Sequence, residues 1–343
     1  TGEPGPGGSI ITGLSEPTIN DHGQVAFFLS EEDGVSWGSE AIQVGDGVTL
    51  QTIVQVGTPL PGADTFHFSQ DGRVPINNSG IVAFTAETDD NLGGVWRGNG
   101  VGLDAIAVQG DSISNAPGVV GSFRRSVVLN EQGNVAFKAR VFSSEDLPGN
   151  EEGLFFGDGS TLIAVVREGQ PLLNGGEIAS IHEYAMNDQD QIAFRAPIDN
   201  DEWENGLFLW DPATGLREII RTGEILPGTG VALDEIGFRG TEPTDHIHPE
   251  QDGFNNHGEI AFEFELRESS PRRQGVAVWG RPYQPPCAED VSGDGTVDVS
   301  DLFDVLGQWG PCPDCPEDVT GDGQVDVSDL FQVLGAWGSC PSP

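Results

Sequence analysis

Short apolar runs alternate with polar, glycine-rich breaks through residues 1–280, and one run recurs. Val25-Ala26-Phe27 reappears as Val82-Ala83-Phe84, Val135-Ala136-Phe137, Ile192-Ala193-Phe194 and Ile260-Ala261-Phe262. Runs this short, bounded by turn residues, read as strands rather than helices. Strand side chains alternate, so in every copy the two large residues share one face and alanine takes the other. Alanine on one face lets a neighbouring sheet approach closely, which predicts strands packed on both sides. Each run follows Asn-x-x-Gly, beginning at Asn20, Asn77, Asn130 and Asn255, and at Asn187 with Asp190 in place of glycine. Asn at the first position and Gly at the last is a turn signature. The copies lie 57, 53, 57 and 68 residues apart.

Two more phrases accompany each copy. One is Gly-(Val/Leu)-(Phe/Trp), as at Gly94-Val95-Trp96, Gly153-Leu154-Phe155 and Gly206-Leu207-Phe208; the other is an apolar run such as Ile53–Gly57 or Ile219–Gly223. Asp46-Gly47, Asn99-Gly100 and Asp158-Gly159 are hairpin signals between them. With the apolar stretch before each Asn, this gives four strands per roughly 55 residues, the size of a propeller blade. Thr1-Gly2-Glu3 through Gly7 resembles Thr222-Gly223-Glu224 through Gly228, so the chain enters inside a third phrase, and the last copy stops after its second, at Gly275–Gly280. The expected fold is mostly β: a five-bladed β-propeller-like domain over 1–280, truncated at its N-terminus, whose first residues complete the last blade. An open stack of β-repeats is the alternative. The Asn-x-x-Gly-x-x-Ala-Phe phrase resembles the tandem-repeat family named for it, which occurs in large secreted bacterial proteins. That family has no assigned activity, so the resemblance implies architecture and export, not chemistry.

After residue 280 the pattern changes. Pro282, Pro285 and Pro286 mark an extended linker over 281–286, and a small module occupies 287–343. Its apolar positions, Leu302, Phe303, Val305, Leu306 and Trp309, then Leu330, Phe331, Val333, Leu334 and Trp337, have helical spacing. Ser300 is the expected cap of the first helix and Gly310 its end. Before each helix, oxygen-bearing residues fall on alternate positions: Asp290, Ser292, Asp294, Thr296, Asp298 and Asp301, then Asp318, Thr320, Asp322, Gln324, Asp326 and Asp329. The spacing matches a 12-residue calcium loop, with Gly295 or Gly323 at the sharp turn, a backbone carbonyl from Thr296 or Gln324, and an inward valine at Val297 or Val325. Clustered aspartates repel unless a dication neutralises them, and hard oxygen donors on a flexible loop suit Ca²⁺. The expectation is two ions. The closing residue is Asp, shorter than the usual Glu.

Loop–helix twice, with no incoming helix, resembles a dockerin; the closing Trp-Gly-x-Cys and flanking cysteines resemble its Gly-Cys-ended variety. The resemblance implies a helical docking module that binds a cohesin-like or cell-surface protein. The positions that would read the partner are Val299 and Ser300, and Val327 and Ser328. Mid-helix, where dockerins carry charge, this chain has Leu306-Gly307 and Leu334-Gly335, which puts ordinary cohesin binding in doubt. The near-identity of the copies would allow docking in two orientations.

All four cysteines, Cys287, Cys312, Cys315 and Cys340, lie in this module. Confined there, they read as disulfide staples in an oxidising compartment, and their spacing does not suit zinc. Two-fold packing of the helices favours Cys287–Cys340 with Cys312–Cys315; Cys287–Cys312 with Cys315–Cys340 is a close rival.

Composition narrows the partners. With 15 basic against 55 acidic residues the formal charge is −40, which removes nucleic acid as a partner and disfavours anionic membranes. No apolar run approaches the ~18 residues of a membrane span. The expectation is an extracellular, secreted or surface-attached protein whose leader is not in this sequence.

Catalytic signals are weak. The insertion Thr241–Asp252 holds Asp245, His246, His248, Glu250 and Asp252, which could ligate a metal but reads better as a polar loop. His22 and His257 sit in the Asn-x-x-Gly turns. Asp188, Asp190, Glu202 and Glu204 surround the repeat that departs from consensus and are weak candidates for a glycosidase carboxylate pair. No nucleophile elbow, phosphate loop or zinc-protease motif occurs. The reading is a non-enzymatic calcium-binding modular protein whose repeats bind a ligand or scaffold, polysaccharide among the options. A dockerin-borne polysaccharide hydrolase and a structural surface component are the alternatives.

Overall fold

The computed structural model describes residues 10–32, 39–68, 73–142, 151–199, 201–227, 229–238, 253–267, 273–280, 289–292, 296–312, 315–320 and 323–339. The chain divides into two compact units, Thr1–Val278 and Trp279–Pro343.

The first unit is a succession of antiparallel sheets. The first sheet comprises Ile10–Leu14 and Thr18–Ile19, both paired with Val25–Glu32, then Ser39–Gly45 and Leu50–Gln55. The second contains Phe66–Phe68, Val82–Thr88, Gly93–Gly98 and Leu103–Val108. The third contains Val119–Leu129, Val135–Phe142, Glu152–Gly157 and Leu162–Arg167. The fourth contains Tyr184–Met186, Ile192–Ile198, Asp201–Asp211 and Gly215–Arg221. The fifth has three described strands, Leu233–Phe238, Ile260–Leu266 and Gln274–Trp279. Apart from Thr18–Ile19, which shares the Val25–Glu32 partner with Ile10–Leu14, the strands of each sheet neighbour one another in chain order, as antiparallel hairpins do. The fourth strand expected for the fifth sheet falls on residues 1–9, outside the described residues.

Both faces of the Val-Ala-Phe strands are buried in the second, third and fourth sheets, as the large-small-large order predicts. Phe137 packs between the second and third sheets with Ala83, Val95 and Ala107, while the adjacent Ala136 packs between the third and fourth with Tyr184, Ile192 and Phe194. Ala26 and Phe84 meet in the same way between the first and second. We call the phenylalanine side of each sheet its leading face and the alanine side its trailing face. On the leading face the phenylalanine stacks on the aromatic residue of the second phrase: Phe84 on Trp96, Phe137 on Phe155, Phe194 on Phe208, with ring centroids 6.4, 5.8 and 5.2 Å apart. The glycine of that phrase is required by contact. A Cβ on Gly153 would lie 2.8 Å from the Phe155 ring, and one on Gly206 would lie 2.6 Å from Phe208.

The second unit carries helices α1 (Val299–Gly307) and α2 (Val327–Gly335). Thr296–Val297 pairs with Gly338–Ser339, and Gly310–Pro311 pairs with Gln324–Val325, so each loop end is tied to the segment after the other helix. Val297, Val305, Val325 and Val333 form the centre of a small core. Two details differ from the sequence expectation. Asp298, not Ser300, caps α1, because its side chain accepts from the Ser300 N–H while Asp301 bonds back to the Asp298 backbone. And α1 ends at Gly307, with Gly310 already in the following strand pair. Among the described residues no helix is long and apolar enough to cross a membrane.

Candidate functional sites

Three places concentrate chemistry: the Asn-x-x-Gly turns, a charged cluster at the third and fourth sheets, and the C-terminal loops with their helices.

The turns form a continuous ladder. Within each, the Asn side-chain oxygen accepts the backbone N–H four residues on, and in all but the Asn130 turn also the one two residues on, as Asn20 does from Gln24 and His22 at 2.9 and 3.1 Å. Its amide then reaches the next sheet: Asn20 Nδ2 donates to the Asn77 carbonyl, Asn77 to Asn130, Asn130 to Asn187 and Asn187 to Asn255, at 2.9, 3.0, 3.2 and 3.2 Å. A second rail runs beside it. The backbone N–H of Asp21 donates to Asn78 Oδ1, that of Asn78 to the Glu131 carboxylate, that of Glu131 to Asp188, and that of Asp188 to Asn256. The sequence marks these asparagines as turn formers but not as cross-sheet donors; their recurrence without exception was the available signal.

Asp190 belongs to this ladder. It holds the left-handed φ of 61° that glycine adopts in the other turns, a conformation Asp tolerates better than most residues. Its Oδ1 accepts from the side-chain amides of Asn130 and Asn134 at 2.7 and 2.8 Å. Asp188 serves the second rail, and Glu204 reaches Arg221 at 3.4 Å; the side chain of Glu202 is outside the described residues. Asp188, Asp190 and Glu204 are thus each engaged with a different set of partners: the second rail, the Asn130 and Asn134 amides, and Arg221. His22 and His257 donate their backbone N–H groups within their turns. The insertion bearing Asp245, His246, His248, Glu250 and Asp252 lies outside the described residues.

The charged cluster escaped sequence reading. Lys138 follows Val-Ala-Phe on the trailing face of the third sheet and is buried. Its Nζ donates to the Ile181 carbonyl of the fourth sheet's segment and sits 3.5 Å from Glu152. Glu152 also pairs with Arg124. Burial lowers the Lys138 pKa, opposed by Glu152. Burial raises that of Glu168, which accepts the Glu152 N–H at 2.9 Å. At the matching position of the fourth sheet, Arg195 makes a bidentate pair with Glu183 at 2.7 and 2.8 Å and reaches Asn205. His182, between them, contacts Ser180 Oγ through Nε2 at 3.1 Å, and burial together with Arg195 keeps its pKa low. The ion pairs lie within the third and the fourth sheet, and Lys138 links the two through the Ile181 carbonyl, so the cluster reads as a structural charge seam.

In the second unit both closing aspartates are fully buried. Asp301 accepts the Ser292 N–H on one oxygen and the Asp298 N–H on the other, both at 2.8 Å. Asp329 does the same with Thr320 and Asp326, at 2.9 and 2.8 Å. Burial alone would raise these carboxyls, but the backbone donors outweigh it and hold them below the usual range. The short Asp is thus a strut that fixes the loop and the helix start together. Asp290 and Asp318 receive Ser292 and Thr320 hydroxyls at 3.4 Å, and Asp318 also takes the Gly323 N–H at 2.7 Å. Asp298 and Asp326 cap the helices. Thr296 and Gln324 lie in the short strand pairs; Asp294 and Asp322 are outside the described residues. Among the described residues the loop side chains offer only hard oxygens, the donor type that Ca²⁺ takes. Cys312 and Cys315 are disulfide-bonded, with Cα atoms 5.7 Å apart; Cys287 and Cys340 lie outside the described residues.

The helices turn apolar side chains both ways. Val305 and Val333 face the core, while the other stripe is exposed in two matched sets. Val299 and Val327 are 48% and 49% exposed, Phe303 and Phe331 65% and 66%, Leu306 and Leu334 both 45%, Trp309 and Trp337 both 52%. Ser300 and Ser328 lie exposed beside them.

Residues 1–281 match a family of unknown function, DUF7453. No curated protein sequence matches the chain. Among solved structures, a polysaccharide lyase of family PL25, an ulvan lyase bound to -[GlcA(1-4)Rha3S]-, aligns with 78% of this chain and 64% of its own at 11% identity, TM-score 0.35. The Hadza microbial sialidase Hz136 aligns over 78% and 56% at 9% identity, TM-score 0.36. The β-propeller domain of the Trilobed protease from Pyrococcus furiosus, described as having an open velcro topology, aligns over 78% and 80% at 12% identity, TM-score 0.32. The chain spans less than two thirds of the length of the first two.

Proposed function

The chain belongs to DUF7453, a family of unknown function, and we propose that it is a secreted, non-enzymatic modular protein whose propeller-like repeat unit is carried by a calcium-loaded, dockerin-like docking tail. One observation carries this reading: the two helices of the tail present equal, exposed apolar stripes centred on Phe303 and Phe331. A module this small does not leave eight large apolar side chains in water without a use for them. Their equality suits a partner, cohesin-like or on the cell surface, that accepts either helix. Apolar Leu306 and Leu334 in place of charge point to a receptor groove that is itself apolar.

The acidic loops supply the switch. Ca²⁺ at Asp290, Ser292, Asp294 and Asp298, with Asp301 as strut, and at the equivalent positions from Asp318 to Asp329, would couple metal binding to folding of the tail. Calorimetric titration of the whole chain is expected to give two Ca²⁺ ions. No heat and no ordering up to millimolar Ca²⁺ would sink the assignment. For docking, Phe303→Ala or Phe331→Ala alone is expected to leave retention on a cohesin panel or on the parent cell surface nearly intact, and the double variant to abolish it. Equal loss from either single change would overturn the two-orientation reading.

A further inference from the structure

The sheet-to-sheet junction of the first unit occurs four times in succession, and its two halves are left over at the ends. At the fifth sheet, Val276 and Val278 are 70% and 53% exposed, whereas the same positions of the third sheet, Leu154 and Phe156, are 0% and 6% exposed. At the first sheet, Leu50 is 52% exposed, whereas its counterpart Leu162, opposite the same strand-end glycine, is 6% exposed. Ile19, in the same cross-strand row at the sheet's other edge, is 69% exposed. The ladder ends match as well. Internal asparagines such as Asn20 and Asn187 spend one amide hydrogen on the side chain four residues on and the other on the next sheet's carbonyl. Asn255 makes only the first of these bonds, to Glu259 at 2.8 Å, among the described bonds. At the opposite end, the Asn20 carbonyl and Asp21 Oδ1 receive no donor from a preceding sheet among the described bonds.

We infer that the trailing face of the fifth sheet is a docking surface for the leading face of the first sheet of a second copy of this chain. Asn255 Nδ2 would donate to the partner's Asn20 carbonyl and the Asn256 N–H to the partner's Asp21, continuing both rails. A second copy is favoured over the chain's own first sheet because the existing junctions already have buried apolar centres. Bringing the two ends together in cis would tilt all of them. Such a contact is heterologous, so it propagates head to tail, into a ring or a filament. Glu235, Glu263 and Glu265 line a depression of about 340 Å³ on this face, and no Lys or Arg precedes Arg73 in the chain. Charge therefore opposes the contact, and added salt strengthens it.

The test is sedimentation of the whole chain with Ca²⁺ over a wide concentration range at low and high NaCl. Mass is expected to grow with concentration and with salt. Val276→Glu and Leu50→Glu should each be monomeric alone, yet form a one-to-one dimer when mixed, because each retains the end the other has lost. Asn255→Ala should weaken association at least about tenfold, the value of one hydrogen bond to a buried partner. A wild-type monomer at all concentrations overturns the inference. If an Asp21→Cys, Asn256→Cys variant then oxidises within one chain, the ends close in cis instead; if it does not, they are unpaired.

Discussion

Asn77 and Asn255 occupy the same place in their turns, but only Asn77 has a following sheet to receive its amide. Asn77→Ala is expected to cost about 2–3 kcal/mol, because it strips both turn and cross-sheet bonds in a buried setting. Asn255→Ala, exposed, should cost about 1 kcal/mol; equal losses in chemical denaturation would argue against a cross-sheet role. Gly153→Ala drives a methyl into the Phe155 ring and should cost about 1–3 kcal/mol, while Gly102→Ala, with nothing within 4 Å of the added carbon, is the control. His182 gives a pH signature. Burial and Arg195 lower its folded pKa, so the unfolded chain binds its proton first as pH falls. Stability should therefore drop as pH passes down through the ordinary histidine range, below about 6.5. His182→Asn should flatten that part of the curve of thermal midpoint against pH. The asparagines and glycines were legible in the sequence as turn and contact residues. The Lys138–Glu152–Glu168 seam was not, because single charges among 70 carry no periodic mark of which will be buried.

At the scale of elements, the alternation of Val-Ala-Phe was enough to predict central strands buried on both faces, and the four-strand succession follows in the second, third and fourth sheets. The helices were legible as helices, yet their spacing could not separate the core valines from the exposed phenylalanines. That division depends on which side the opposing helix lies. Val305→Ala should destabilise the tail by about 1–3 kcal/mol, whereas Phe303→Ala should leave its Ca²⁺-dependent melting nearly unchanged. A large loss in the second variant would mean that the stripe is packed rather than presented. Capping was misread at Ser300 because Ser and Asp both serve as caps, and it is the strut from Asp301 that selects Asp298. Chelation combined with reduction should unfold the tail and leave the β-sheet circular dichroism intact.

For the whole molecule, a charge of −40 on 343 residues makes every compact state self-repelling. Raising NaCl from low concentration should raise the melting temperature of the first unit, and Ca²⁺ should do so selectively for the second. Differential scanning calorimetry separates the two transitions; a salt-insensitive first transition would contradict the charge argument. The ladder has one more consequence. Its asparagine rail is chemically the same at every junction, so that rail cannot tell one sheet from another. Contacts particular to one junction come instead from residues that differ between copies, such as the one after each Val-Ala-Phe: Phe28, Thr85, Lys138, Arg195 and Glu263. Neutralising Lys138 would remove one of these identifiers, leaving a chain whose modules can be joined out of sequence during refolding.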